Sequence, residues 1–287
     1  MTTLAPASAP PELAAFLDDA RVQVDAELAR RLAPPADDPG RLAEAMRYAA
    51  TGPGKRLRPA IVLAAAEACG APRAAAMPAA CAIEMLHAYT LVHDDLPAMD
   101  DDDMRRGRPT VHKAFGEAIA ILAGDGLLTQ AFGTLAELGP RTGEAVAVLA
   151  RRAGVRELLA GQAIDLARQS ESGGLDWGPG RPPRDLAGIE RMHAAKTGAL
   201  FAASAELGAI AAGAPPAHRE ALGRYGLAIG IAFQHADDRD DAELAEHAAA
   251  AADRMRRLCE DARAQLGPLG DRPALLHAIA SWIAARA

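Results

Sequence analysis

Six aspartates stand within ten residues, Asp94, Asp95, Asp100, Asp101, Asp102 and Asp103, and Arg105, Arg106 and Arg108 follow them. Like charges at that density repel. They also fall where an apolar helix running from about Met77 is expected to end, and anions at a helix C-terminus oppose its dipole. A cation is therefore needed. Carboxylate oxygens suit a hard divalent ion, and magnesium takes a carboxylate or two together with water and phosphate oxygens. The neighbouring arginines could grip the same phosphates in bidentate fashion. Charge pattern alone leaves open a solvated acidic helix end paired with its own arginines. A calcium loop counted from Asp100 has Arg105 and Val111 where Gly and Glu are required. His93-Asp94 spells the metal-binding pair of helical phosphohydrolases, but a dipeptide decides nothing.

At about 100° per residue, Asp94 and Asp100 would lie roughly 120° apart on a straight helix. Pro97 resolves this, because it should stop or kink the helix and let Asp100 fold back. His87, two turns before Asp94, shares its face. A second acidic group, in FQHADDRDD, places Asp237 and Asp241 on one helical face, with Gln234 one turn before Asp238. Taken alone it too could be an exposed acidic helix end. Two such groups, each preceded by an apolar helix, could face each other across a bundle cavity, as carboxylate metal sites do.

Only three of the 31 basic residues are lysine, at positions 55, 113 and 196. Lys55 closes TGPGKRLRP, where Arg56 and Arg58 add charge beside a helix start at Pro59, a reasonable anion site. It is not a phosphate-binding P-loop, since Ala49 replaces the first Gly and Arg56 follows the lysine. Lys196-Thr197 enters an apolar helix in HAAKTGALF.

These groups must be positioned by helices. Half of the 287 residues are apolar, 3% are aromatic and Ala is abundant, so the expected class is all-α. The net charge of −7 with mixed signs gives no broad basic surface for nucleic acid or anionic lipid. Cys69, Cys81 and Cys259 have no paired metal-ligand spacing and are odd in number, which argues against a zinc site and a disulfide framework. No run of about 18 uncharged apolar residues occurs, and the N-terminal stretch lacks a signal-peptide pattern, so no stable membrane insertion and a cytoplasmic location are expected. Breakers fall at 34–40, 52–54, 70–72, 139–141, 170–184 and 213–216. We expect one domain over 1–287, with about residues 1–10 disordered and 170–184 a long surface loop.

The ordered motifs GKRLRP from Gly54, ExxHxxTLxHDDLPAMDDDDxRRGxPT from Glu84, AGDGLLTQAF from Ala123, GQxxDL from Gly161, KTGALF from Lys196 and FQxxDDxxD from Phe233 resemble the trans-prenyl diphosphate synthases. The resemblance runs from about Leu42 to Asp241. It implies an isoprenoid synthase fold, a single large helical bundle around a cavity, and a homodimer. It implies head-to-tail condensation of isopentenyl diphosphate with an allylic diphosphate. Asp94, Asp100 and Asp237 correspond to the principal ligands of three magnesium ions, with Asp95, Asp238 and Asp241 assisting. Arg105, Lys196, Thr197 and Gln234 correspond to positions that touch the allylic substrate or its developing cation. Lys55, Arg58, His87 and Arg106 correspond to the isopentenyl diphosphate pocket, and Gln162 and Asp165 to cavity residues behind these. Tyr89, five before the first Asp, corresponds to the floor of the elongation cavity. With the two extra residues between Asp95 and Asp100, it resembles farnesyl-producing bacterial enzymes.

One departure stands out. After Asp241 the family continues with a lysine-bearing loop, whereas here AELAEHAAAAADRMRRL follows and no lysine occurs after Lys196. A non-catalytic synthase-like subunit therefore stays open beside the enzyme. A terpene cyclase is disfavoured by the DDxxD form of the second motif. A phosphohydrolase would not need the Lys55, Arg58 and His87 set.

Overall fold

The computed structural model describes residues 9–169, 186–240 and 248–287, with the side chains of 168, 169, 238–240, 248 and 249 outside the description. Asp241, the Asp238 side chain, the expected loop at 170–184 and nearly all of the expected N-terminal tail thus lie outside it. The described residues are helical almost throughout, as expected.

Helices α3 (Leu57–Ala68), α4 (Arg73–Asp94) and α10 (Ala199–Ala211) form the centre. Every residue of α10 and nearly every residue of α3 is buried, the mark of helices covered on all sides. α10 packs against α3, α4, α7 (Thr142–Ala153) and α11 (Pro216–Asp240), while α4 packs against α3 and α6 (Glu117–Leu135). α1 (Pro11–Arg31) and α2 (Leu42–Ala50) close one side, and α12 (Ala248–Gln265) and α13 (Ala274–Ala284) cover α11. The remaining helices are α5 (Val111–Phe115), α8 (Leu158–Gln169) and α9 (Leu186–His193). One apolar core runs from Leu13 to Ile283.

Small residues set how closely these helices approach. A Cβ on Gly208 would sit 2.3 Å from the Val62 carbonyl oxygen, so α10 meets α3 backbone to backbone. α4 and the stretch Glu117–Ala167 are long and apolar enough to cross a membrane by length and composition. The apolar window of α4 is 67% buried, so the protein core already accounts for most of its surface.

Sequence reading located the helix breaks at 52–54, 70–72, 139–141 and 213–216. It gave no sign of a two-residue hairpin, β1 (Met104–Arg105) with β2 (Arg108–Pro109), antiparallel. Its turn residues Arg106 and Gly107 have φ +52° and +78°, the left-handed pair that a tight hairpin turn requires.

Candidate active site

α4 ends at Asp94, and the backbone N–H of Asp100 donates to the Asp94 carbonyl at 2.8 Å, so the chain folds back after Pro97 as expected. Asp94 bounds a cavity of about 1000 Å³. Asp237, near the end of α11, bounds the same cavity, which brings the two acidic motifs to one space. Burial is the main force that pushes Asp94 up to about 7, with Asp100 and Asp95 adding to it and Lys196 and Arg105 opposing. Asp100 is not among the residues bounding the cavity, yet its Oδ1 is buried and accepts no hydrogen bond from the described residues. A buried carboxylate oxygen without a donor, beside a carboxyl whose charge burial disfavours, suits a hard cation. The donor set of Asp94, Asp100 and Asp237 therefore fits magnesium.

Asp95 behaves differently. It is buried, accepts from Arg105 Nε at 2.6 Å and does not bound the cavity; burial raises its pKa against the pull of Arg105. Arg105 itself does bound the cavity and also reaches Asp102 at 3.3 Å. Outside the cavity, Asp101, Asp103 and His112 bring ligand atoms within 4.8 Å of one another, and Lys113 pairs with Asp103 at 2.7 Å.

The cationic side of the cavity comes from the start of α3, from α4 and from the hairpin. Lys55, Arg58, His87 and Arg106 all bound it. Arg58 donates to His87 Nε2 at 3.2 Å. Burial holds His87 well below its ordinary value, reinforced by Arg58, Arg106, Arg56 and Arg105, so its ring stays neutral and accepts that bond. Burial also draws Arg58 down to about 10, against the pull of Glu84. Lys55 Nζ lies 5.9 Å from the Phe233 ring, and Arg106 donates to the Pro53 carbonyl at 2.8 Å.

Arg56 also bounds the cavity, as its grouping with Lys55 and Arg58 implies, but its guanidinium is engaged within the protein. With φ +48° it turns into the protein, pairing with Glu84 at 2.8 Å and Asp25 at 2.6 Å and donating to the Gly52 carbonyl. It fastens the Lys55 loop, with its charge matched by Glu84 and Asp25.

Lys196 and Thr197 sit in a π-helical turn, Ala194–Gly198, between α9 and α10. Such turns are rare and recur at functional sites. Lys196 pairs with Asp165 of α8, and Thr197 donates to Gln234 Oε1 at 2.8 Å. Burial works against the Lys196 charge, but Asp165 outweighs it, with Asp94 and Asp100 adding, and its pKa is raised. Lys196, Thr197 and Gln234 all bound the cavity, as does Gln162, whose buried Nε2 has no hydrogen-bond partner among the described residues. Gly161 makes the turn possible: a Cβ there would lie 2.3 Å from Lys196 N.

Tyr89 bounds the cavity and is 6% exposed, stacked edge-on against His93. His93 contacts the Ile121 carbonyl at 3.1 Å, where Gly124 leaves room for the ring. The other rings are Phe201 and Phe233, 5.4 Å apart, which sequence reading left unassigned although both occur in the motifs KTGALF and FQxxDD. Arg286 was also missed: it donates to Asp237 at 3.0 Å from beyond α13, and no motif surrounds it.

Comparison with known proteins agrees with this arrangement. The profile of the polyprenyl synthetase family matches residues 39–257. The chain belongs to that family. Farnesyl diphosphate synthase of Geobacillus stearothermophilus is 40% identical over 80% of this chain and 76% of its own length. Large subunit 1 of the heterodimeric geranylgeranyl pyrophosphate synthase of Arabidopsis thaliana is 45% identical over 71% of the chain, which spans 55% of that protein. The crystal structure of an FPP/GFPP synthase from Zymomonas mobilis superposes with a TM-score of 0.85 at 39% identity, covering 95% of this chain and 99% of that one. The polyprenyl synthetase chain described here thus keeps the all-α isoprenoid synthase fold over nearly its whole length.

Proposed function

We propose that this chain is a magnesium-dependent prenyltransferase that condenses isopentenyl diphosphate head-to-tail with dimethylallyl and geranyl diphosphates, and that farnesyl diphosphate is its main product. The observation that carries this reading is the meeting of Asp94 and Asp237, distant in sequence, on one cavity that also holds Lys55, Arg58 and Lys196. Magnesium bound by Asp94, Asp100 and Asp237 would neutralise the allylic diphosphate as its bond to carbon breaks. Lys196 and Arg105 add positive charge on the same side, aimed where negative charge develops. Lys55, Arg58 and Arg106 hold the second diphosphate, and neutral His87 keeps Arg58 in place. Gln234, its carbonyl oxygen fixed by the Thr197 hydroxyl, turns a dipole toward the allylic cation. Phe201, Phe233 and Leu200 exclude water, which would otherwise capture that cation before the isopentenyl double bond does. We assign no side chain to the final proton loss.

Farnesyl length rests on Tyr89, a bulky ring bounding the cavity one helical turn from Asp94, and on the likeness to the Geobacillus enzyme. The 45% identity to a geranylgeranyl-synthase subunit favours a second reading, a longer product from the same reaction. We further propose a homodimer in the cytoplasm, with no nucleic-acid partner; the adjacent apolar side chains of Ile121 and Leu122 on α6, 46% and 50% exposed, support the dimer.

The test incubates purified protein with magnesium, isopentenyl diphosphate and dimethylallyl, geranyl or farnesyl diphosphate in turn, reading products by mass spectrometry. A fifteen-carbon product that EDTA abolishes is expected. Absence of any condensation would leave a non-catalytic subunit as the better reading.

A further inference from the structure

Asp237 is met from behind by a cation that does not bound the cavity. Arg286 donates from Nη2 to Asp237 Oδ1 at 3.0 Å, and its side chain is 5% exposed while that of Asp237 is 36% exposed. Its guanidinium also lies 5.5 Å from the Phe233 ring, one turn before Asp237 on α11, against which Lys55 packs 5.9 Å away. The turn that carries Arg286 is tied to the core. The Arg286 backbone N–H donates to the Ile283 carbonyl, Leu276, Ile279 and Ile283 of α13 are buried, and Tyr225 of α11 donates to the Leu276 carbonyl at 2.7 Å.

We propose that Arg286 is a positioning residue: it fixes the Asp237 carboxylate so that the second acidic motif meets magnesium-bound diphosphate in a single orientation. This rests on the synthase reading above. A carboxylate has lone pairs for a guanidinium on one oxygen and an ion on the other. An unfixed side chain would surrender rotamer freedom each time it bound the ion, and a fixed one does not. Partners that orient metal ligands in this way change metal affinity by about 10–100-fold when removed. The guanidinium also repels a bare cation, so its benefit belongs to the state in which diphosphate supplies excess negative charge.

The experiment titrates magnesium into purified protein holding saturating inorganic pyrophosphate, by calorimetry, for wild type, Arg286→Met, Arg286→Lys, Asp237→Asn and the Asp237→Asn combinations. Arg286→Met should weaken the apparent magnesium affinity about 10-fold, and Arg286→Lys should recover part of it. In the Asp237→Asn background neither change should add a further loss, because the effect runs through that carboxylate. KM for isopentenyl diphosphate should stay near wild type. A folded Arg286→Met protein with wild-type magnesium affinity overturns the proposal, as does an equal loss in both backgrounds. Should Arg286→Met fail to fold, the Arg286→Lys pair decides by the same rule. Wild type that binds no magnesium with pyrophosphate overturns the synthase reading itself, whereas wild-type binding unaffected by the variants overturns only the role of Arg286.

Discussion

Replacing Gly161 by Ala tests how the Lys196 turn is held. The added Cβ would lie 2.3 Å from Lys196 N, 2.7 Å from Lys196 Cα and 2.8 Å from the Ala195 carbonyl carbon, where ordinary contact starts at 3.4 Å. All three are backbone atoms, so no rotamer change relieves the overlap. α8 must move away from the π-helical turn by about 1 Å, judged against close packing of protein interiors. That motion draws Asp165, one turn on along α8, away from Lys196. Overpacking of this kind costs about 1–3 kcal/mol, offset by up to about 1 kcal/mol from the better helix propensity of Ala. A misplacement of about 1 Å costs roughly 10²-fold in rate, or about 2.7 kcal/mol of barrier. Thermal unfolding and steady-state condensation kinetics measure the two effects. Gly143→Ala is the control, since nothing lies within 4 Å of the Cβ it would gain. Gly161→Ala protein with wild-type turnover would refute the reasoning, and so would an equal loss in the control.

Three further outcomes are expected. Tyr89→Ala should shift products beyond fifteen carbons in the mass spectrum, and an unchanged spectrum would remove Tyr89 from the cavity floor. Glu84→Ala leaves the Arg56 guanidinium, 3% exposed, with only Asp25 and the Gly52 carbonyl, and should lower the urea-unfolding free energy by about 3 kcal/mol while weakening isopentenyl diphosphate binding through the Lys55 loop. His87, depressed below its ordinary 6.5 in the folded state, binds a proton only on unfolding, so its contribution to stability is complete above about pH 6.5 and lost as pH falls below it. Asp94, raised in the folded state, contributes the opposite slope between its ordinary 3.8 and about 7. The unfolding free energy of wild type relative to His87→Gln cancels that slope and should fall by up to about 1.4 kcal/mol per pH unit below pH 6.5.

The helical class and the two acidic motifs were readable because both are local. Apolar spacing and the scarcity of β-branched and aromatic runs decide helix over strand within a few turns, and clustered carboxylates followed by arginines offer ligands for an ion and a phosphate, a reading that the ordered motifs around them then single out. The reversal after Pro97 was readable for the same reason, since proline acts on its own turn. The Arg106-Gly107 turn went unread although its residues are the right ones, because a strand of two residues leaves no alternating pattern to detect.

What the sequence determined by itself was the chemistry on offer: which side chains can hold magnesium and diphosphate, and that helices carry them. Only the tertiary structure decided which of these face one another. Arg56 and Arg58 are two residues apart and both bound the cavity, yet the Arg56 guanidinium is paired with Glu84 and Asp25 while that of Arg58 meets His87. Arg286 reaches Asp237 across 49 positions with no motif to mark it. Periodicity records the faces of a single helix; the meeting of distant faces depends on how closely helices pack, which here turns on small residues such as Gly161 and Gly208 at their crossings.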